Sequence, residues 1–248
     1  MTMRLGKLPP RVDERTLQFA KYAPALRPPK AMDWSHGLKS WGVMLNDQLG
    51  CCTIAAKGHA IQDFTVNAGA KEVTVSNAAI LKSYEAVSGY NPADPNSDVG
   101  ADMLTTENYW RKTGIGGHKI AAFVQLTPGN YQHVEESIWL FGGVDIGLQL
   151  PISAQTQINA GKPWSQTFGP DSEPGSWGGH DVWIVGYNAK GLTCVTWGQL
   201  QVMTWGFWHA YTDEAYAVIT QEWIEKNGKS PGGFDWATLE KDLQAVTG

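Results

Sequence analysis

Two adjacent cysteines, Cys51 and Cys52, are the residues of this sequence best placed to act as nucleophiles. They stand where the polar segment 46–50 meets an apolar stretch with helical spacing, and a helix N-terminus favours the thiolate form of cysteine. A nucleophilic thiol also needs a base, usually histidine, from anywhere in the chain. A free cysteine is more often a small buried hydrophobic residue. Cysteine placement alone therefore leaves catalysis as the less common of two interpretations.

His180 is the histidine best placed to serve as that base. It follows a glycine pair and opens the apolar run 182–187, which is typical of a strand. A histidine at the start of a strand, after a glycine-rich loop, is well placed to face a cleft. His59 lies two helical turns beyond Cys52, too far along the helix to touch it. Four other histidines are interpreted as solvated: His36, His118, His133 and His209.

The elements that must position these residues divide the chain by periodicity. Apolar residues recur at helical spacing in the first half, and short apolar or aromatic runs separated by glycine follow in the second. The predicted helices cover about 52–64, 77–88, 102–112, 133–140 and 235–246. The predicted strands cover 144–150, 182–187, 192–197, 201–205 and 215–219. This order indicates an α+β protein.

Three units are expected along the chain. Residues 1–30, punctuated by prolines, are predicted to form an N-terminal arm. Residues 31–125 are predicted to form a mainly helical lobe, and residues 126–248 a β-rich lobe with a C-terminal helix. The segment 152–179 is rich in glycine and proline, which predicts a long functional loop leading to His180.

Several short motifs, in this order, resemble those of the papain-like cysteine peptidases over about residues 28–219. Each piece is common by itself, and their order makes the resemblance specific. The pieces are Pro28-Pro29, Asp33-Trp34, Gly42-Val43, the run from Asn46 to Ala55, the run from Gly179 to Tyr187, Trp197-Gly198, Trp205-Gly206 and Glu214-Ala215-Tyr216.

The resemblance implies a two-lobe fold, with a helical N-terminal lobe and an antiparallel, β-barrel-like C-terminal lobe. It implies that Cys52 is the nucleophile and His180 its base. Gln48 would stabilise the oxyanion together with the Cys52 backbone N–H. The implied reaction is thiolate attack on a carbonyl of a peptide or protein, followed by hydrolysis of an acyl-enzyme. No cofactor is implied.

The resemblance also assigns residues to a substrate cleft. Gly100 would belong to a glycine strip that substrate backbone approaches closely, and Gly179 precedes the histidine. Trp197 would shield His180, and Trp205 belongs to the second Trp-Gly pair. The expected arm is too short to resemble the usual inhibitory propeptide.

Two features depart from the family pattern. The cysteines are adjacent in a shortened loop, so Cys51 remains an alternative nucleophile, although the helical pattern continues from Cys52. The asparagine that orients the family's histidine is absent before both Trp-Gly pairs. Thr196, Gln199 or Asp181 could orient the ring instead, or no residue does. Such an orienting group is the least indispensable member of a catalytic triad.

Composition excludes other classes of protein. The chain has 248 residues, a net charge of −5 and 12 tryptophans. No cluster of basic residues suggests a nucleic-acid partner, and no apolar run reaches the length of a membrane span. The cysteine and histidine spacing fits no zinc site, and the acidic run 94–98 lacks the glycine and glutamate of a calcium loop. Without an apolar N-terminal region, we expect a cytoplasmic protein, or one released without a signal peptide.

Three functions remain open at this stage, and the sequence does not indicate an oligomeric state. The first is a cysteine peptidase or related amide hydrolase. The second is a catalytically weak or inactive papain-like protein with a binding or structural role, which the missing asparagine motivates. The third is a carbohydrate- or peptide-binding module that uses exposed tryptophans.

Overall fold

The computed structural model describes residues 2–23, 27–67, 71–220, 223 and 235–247, and it has the predicted α+β class. The helices are α1 Cys52–Asn67, α2 Asn77–Ser88, α3 Met103–Lys112, α4 Tyr131–Phe141, α5 Ile152–Asn159, α6 Trp205–Tyr211 and α7 Trp236–Thr247. The strands are β1 Met32–Asp33, β2 Ala122–Gln125, β3 Val144–Leu150, β4 Gly178–Asn188, β5 Gly191–Thr196, β6 Gln199–Thr204 and β7 Thr212–Ile219.

The strands form one antiparallel sheet in the order β2-β7-β3-β4-β5-β6, and β1 pairs with β4. Among the described strands, β2 and β6 are the edges and do not pair with each other, so the sheet is open. The expected barrel-like closure is therefore corrected. Helix α1 packs against β4 and β5, so the sheet buries its face against a helix instead of against itself.

Two helices were not predicted. The expected loop 152–179 begins with α5, whose buried residues are only Ala154 and Ile158, too few to produce a helical pattern. Helix α6 follows directly on β6, and its aromatic composition is typical of strands. Thr204 begins α6 because its hydroxyl accepts a hydrogen bond from the Phe207 N–H at 3.2 Å.

The N-terminal arm is part of the packed structure. Phe19 and Tyr22 are buried, and the Tyr22 hydroxyl donates to the Asp242 carboxylate of α7 at 2.8 Å. Strand pairing also joins the two expected lobes, because β1 pairs with β4 and β2 with β7. The division at about residue 125 stays a prediction.

Helix α1 is buried over most of its length, with every residue from Cys52 to Thr65 shielded from solvent. A helix buried on all sides must find partners for its polar side chains inside the protein. Asp63 accepts a hydrogen bond from the Trp183 indole on β4 at 2.7 Å. Burial raises the pKa of Asp63 to about 8, although the hydrogen bonds from Trp183 and Asn67 oppose this shift.

Lys57, five residues after Cys52 on α1, lies among three buried carboxylates. Its ammonium contacts Asp145 on β3, Asp181 on β4 at 2.9 Å and Glu107 on α3 at 3.2 Å. All four side chains are fully buried. Burial raises the pKa values of Glu107 and Asp181 well above the ordinary range for carboxyls, against the attraction of Lys57. The Lys57 cluster thus ties α1 to two strands and a second helix.

We expect Lys57→Met to destabilise the fold by about 3–5 kcal/mol near neutral pH, because it leaves buried carboxylates without a counter-ion. The folded-state pKa values of Glu107 and Asp181, which burial already raises, then lie further above the unfolded values of about 4. The penalty is present above the unfolded pKa and disappears as pH falls below it. Urea unfolding of Lys57→Met at several pH values measures this. Lys190→Met, at an exposed position, is the control, and an equal loss in both variants would contradict the prediction.

Candidate active site

The turn before α1 positions the two cysteines. Met44 and Leu45 adopt left-handed backbone conformations, with φ of 54° and 64°, which are uncommon for residues other than glycine. The Asn46 amide donates to the Leu49 carbonyl at 3.1 Å and closes the turn. The Gly50 N–H then donates to the Asp98 carboxylate at 3.0 Å. The start of α1 is therefore fixed from both sides.

The two cysteine side chains have different surroundings. The Cys51 sulfur lies 3.5 Å from the Met44 carbonyl oxygen, within the turn. The Cys52 side chain is instead buried at the first residue of α1. Burial raises the pKa of Cys52 to about 12, and the Asp181 carboxylate adds to this, while the backbone N–H groups of Asp181 and Gly6 and the Lys7 ammonium act in the opposite direction. Cys52 is a neutral thiol in this state.

His180 lies on β4, where Thr196 and Trp197 contact its ring. Its Nε2 lies 2.6 Å from the Thr196 hydroxyl oxygen, and its ring stacks on Trp197 with a centroid distance of 4.2 Å and an interplanar angle of 11°. Burial lowers the pKa of His180 to about 3, with a further contribution from His59. Within the described part of the chain, Nδ1 is buried without a hydrogen-bond partner.

Cys52 lies on the helix that packs against the strand carrying His180. The backbone N–H of Asp181, the residue directly after His180, lowers the pKa of the Cys52 thiol. Of the three residues considered for orienting the ring, Thr196 contacts it. Asp181 belongs to the Lys57 cluster, and Gln199 is exposed at the start of β6.

Residues 4–8 of the arm lie across this site as an extended segment, which we call the cleft segment. On one side, the Gly6 and Lys7 N–H groups donate to the Gly179 carbonyl at 3.3 and 3.1 Å. On the other, the Gly6 carbonyl accepts from the Ala101 N–H at 2.9 Å, and the Leu8 N–H donates to the Ala101 carbonyl at 3.0 Å. The cleft segment therefore fills the groove between the Gly100–Ala101 strip and β4. The arm is too short to resemble the usual inhibitory propeptide, yet residues 4–8 occupy the groove through their backbone.

Close backbone contacts explain the glycines of the cleft. A Cβ at Gly100 would lie 2.0 Å from the Gly6 carbonyl oxygen, and one at Gly179 would lie 2.1 Å from that of Lys7. A Cβ at Gly6 itself would lie 1.8 Å from the Gly50 carbonyl oxygen. Side chains at these positions would keep the segment out of the groove.

Asn46 is a cleft residue that the sequence reasoning missed. Its buried amide donates to the Arg4 carbonyl oxygen at 3.2 Å, and the Trp197 indole donates to the same oxygen at 3.1 Å. The predicted oxyanion residue Gln48 has an exposed side chain. One feature of the sequence could have indicated Asn46: it is a polar residue in the segment that leads directly to the two cysteines.

Trp205 lies away from this groove. Its indole donates to the Asn188 carbonyl at 2.9 Å, and its ring contacts Tyr131 and Trp208. Many tryptophans serve as core: Trp110, Trp164, Trp183, Trp197, Trp208 and Trp223 are buried, and the others are partly buried. This distribution removes much of the motivation for a tryptophan-based binding module.

The remaining motifs have structural roles. The acidic run 94–98 forms a turn in which Asp94 accepts from the Asn96 N–H at 3.0 Å, and Asp98 anchors Gly50 and Tyr84. Within the described ranges, no group of three or more histidine, cysteine or acidic residues is arranged to hold a metal ion. None of the described helices is both long and apolar enough to cross a membrane.

This architecture is the papain-like fold. Xylellain, a cysteine protease from Xylella fastidiosa, is 15% identical, with a TM-score of 0.67 over 87% of this chain and 96% of that one. Procathepsin L 3 from the larval midgut of Tenebrio molitor is 13% identical, with a TM-score of 0.57 over 86% and 75%. The ragweed pollen allergen Amb a 11, a cysteine protease solved in its proform, is 17% identical, with a TM-score of 0.55 over 81% and 68%.

The similarity is one of fold. No protein-family model matches the sequence, and no curated protein sequence matches it either. The papain-like α+β fold expected from the ordered motifs is confirmed by these solved structures.

We expect Gly6→Ala to expose Cys52. The added methyl overlaps the Gly50 carbonyl, and overpacking of this kind costs about 1–3 kcal/mol, which shifts the cleft segment outward. Alkylation of Cys52 by iodoacetamide, followed by peptide mass spectrometry, should become about tenfold faster or more.

Val12→Ala is the matched control, because Val12 lies in the same arm and is 87% exposed. Its alkylation rate should equal that of the unmodified sequence. Equal rates in Gly6→Ala and the unmodified protein would show that the cleft segment does not limit access to Cys52.

Proposed function

We propose that this protein is a cysteine peptidase or a related amide hydrolase, with Cys52 as nucleophile and His180 as base. One observation carries the proposal. The backbone N–H of Asp181, the residue directly after His180, lowers the pKa of the Cys52 thiol, while Thr196 engages Nε2 of the ring and leaves Nδ1 without a described partner. The papain-like fold, shared with proteases, supports the same reading.

The hydrogen bond to Thr196 favours one tautomer of His180. When Nε2–H donates to the threonine hydroxyl oxygen, Nδ1 carries the lone pair and can accept the Cys52 proton. The resulting thiolate attacks a substrate carbonyl, and the imidazolium protonates the leaving amine. Water then hydrolyses the acyl-enzyme. Trp197, stacked on the ring, shields the imidazole from solvent.

The oxyanion needs donors beside Cys52. We keep Gln48 and the Cys52 backbone N–H as the predicted pair, and add the Asn46 amide as a candidate. Asn46 already donates to a backbone carbonyl oxygen in the cleft, whereas the Gln48 side chain is exposed. A larger loss of rate in Asn46→Ala than in Gln48→Ala would assign the role to Asn46.

The cleft segment explains how the site can be latent. The backbone of Gly6 packs against Gly50, two residues before Cys52, and its N–H donates to the Gly179 carbonyl, so the segment occupies the groove beside the nucleophile. It also keeps the thiol and imidazole buried and neutral. We propose that a substrate peptide replaces it in the groove between Ala101 and Gly179.

A binding or structural role for an inactive protein is the second candidate. The filled cleft and the absence of the family's asparagine favour it. The two candidates differ in whether Cys52 reacts when the cleft segment is displaced.

Labelling with a peptide-like, thiol-directed electrophile tests the proposal. In the Gly6→Ala background, we expect modification of Cys52 and cleavage of a peptide substrate. Cys52→Ser should abolish both, and Cys51→Ser should retain both because Cys51 faces the turn. If Cys52 in folded Gly6→Ala reacts no faster with the peptide-like reagent than Cys51 does, the peptidase proposal fails.

Thr196→Val removes the hydroxyl that engages His180 but keeps the side-chain shape. We expect kcat/KM to fall by about tenfold or more, because a misoriented base loses part of its contribution. Thr196→Ser keeps the hydroxyl and should retain most of the activity. Equal activity in the valine and serine variants would contradict an orienting role.

A further inference from the structure

The Lys7 side chain of the cleft segment enters a deep, acidic pocket. Its ammonium is fully buried and lies 2.8 Å from the Asp213 carboxylate and 3.0 Å from that of Glu214. Burial by itself would lower the pKa of Lys7, but the two carboxylates outweigh it and raise the pKa. Lys7 is therefore a buried cation held by two acids.

A sheet irregularity creates this pair of acids. Adjacent residues of a regular strand point to opposite faces of the sheet. Between β3 and β7, Gly147 pairs with Glu214 but Leu148 pairs with Thr212, so Asp213 is the extra residue of a bulge. A bulge changes the direction in which a side chain points. Here it allows the consecutive carboxylates of Asp213 and Glu214 to reach the same ammonium.

The walls of the pocket fit an unbranched basic side chain. A Cβ at Gly147 would lie 2.1 Å from the Lys7 Cε, so the lysine stem passes where only glycine leaves room. The buried Met103 lies on the same side, with its sulfur 2.8 Å from that Cβ position. At the entrance of the pocket, the Lys7 N–H donates a hydrogen bond to the Gly179 carbonyl.

Each of the two acids also has a hydrogen bond that does not involve Lys7. Asp213 accepts from the Gln149 amide at 2.6 Å, and Glu214 accepts from the Tyr216 hydroxyl at 3.0 Å. Two buried carboxylates at close range repel each other and lose hydration, so an arriving cation is strongly favoured. The acidic pocket thus belongs to the fold and is preformed for a basic group.

We propose that the Asp213–Glu214 pocket is a specificity subsite that selects a lysine or arginine side chain in the peptide substrate, with Lys7 occupying it in the latent state. This proposal rests on the proposed function, because the pocket can select a substrate only if the protein is a peptidase. The pocket lies one residue along from Gly6, whose backbone packs against Gly50, two residues before Cys52. It therefore selects a side chain adjacent to the reacting position.

Binding separates this proposal from catalysis. The host is the full chain with Gly6→Ala and Lys7→Ala, which empties the pocket. The probes are fluorescein-labelled heptapeptides that copy residues 3–9, with lysine, leucine or glutamate at the fifth position. Fluorescence anisotropy should show the lysine peptide binding about tenfold tighter than the leucine peptide or more, and the glutamate peptide weakest.

Neutralising the acids tests their part in the preference. Adding Asp213→Asn and Glu214→Gln to the host should bring the lysine and leucine peptides to within about threefold of each other. Asp213→Asn alone, at the partly exposed acid, serves if the double replacement does not fold. Glu240→Gln, which removes a negative charge at an exposed position of α7, is the control and should leave the preference unchanged.

The outcomes are distinct. Three results would overturn the subsite proposal. The host could bind the lysine and leucine peptides equally, it could fail to bind the lysine peptide, or its preference for lysine could survive neutralisation of the acids. Carboxylate-dependent lysine binding by a protein whose Cys52 never reacts would support the pocket and refute the peptidase. In an active protein, the same preference should appear in kcat/KM for peptide substrates with lysine against leucine at this position.

Discussion

The position of α1 in the fold depends on the buried cation Lys57, in the first half of that helix. Three carboxylates from β3, β4 and α3 converge on it, and each would be strongly unfavourable in the interior without a counter-ion. Apolar packing is non-directional, whereas the ammonium of Lys57 must face carboxylates on three other elements, which adds a directional constraint to the packing of α1. Because Cys52 is five residues earlier on the same helix, this contact also places the candidate nucleophile against β4.

Strand β4 serves two environments through its alternation. Neighbouring residues of a strand face opposite sides, so His180 meets Thr196 and Trp197 while Asp181 reaches Lys57. The two environments are electrostatically coupled, since the Asp181 charge raises the pKa of the Cys52 thiol. The carboxylates that fix the helix therefore oppose thiolate formation. An active Cys52 would have to gain its stabilisation from an imidazolium, which the buried and neutral His180 does not provide in the latent state.

Local signals in the sequence were enough for the elements that they determine. Helix α2 was predicted with both ends correct because Ser76 caps it and Gly89 ends it with φ of 75°. Strand β3 was correct because its apolar run is bounded by glycine and proline. Helix α6 was missed because its aromatic residues favour strands, although the buried Phe207, Trp208 and Tyr211 share one helical face. Local sequence could not predict the open sheet, the contact of Asn46 with Arg4 or the position of the cleft segment. These features depend on contacts between residues far apart in the chain, such as Lys7 and Asp213, which are 206 residues apart.

The cleft segment couples three properties that are separate in the sequence. Its backbone occupies the groove between Ala101 and Gly179, its lysine neutralises the Asp213–Glu214 pocket, and its presence keeps Cys52 and His180 out of water. Linkage makes this coupling reciprocal. A segment that holds the thiol and imidazole in their neutral forms binds more weakly once they become thiolate and imidazolium. A ligand that brings a basic side chain to the pocket and a carbonyl to Cys52 competes for the same contacts and favours the charged pair. Occlusion and protonation are thus two aspects of one equilibrium, which the identity of the side chain in the acidic pocket shifts.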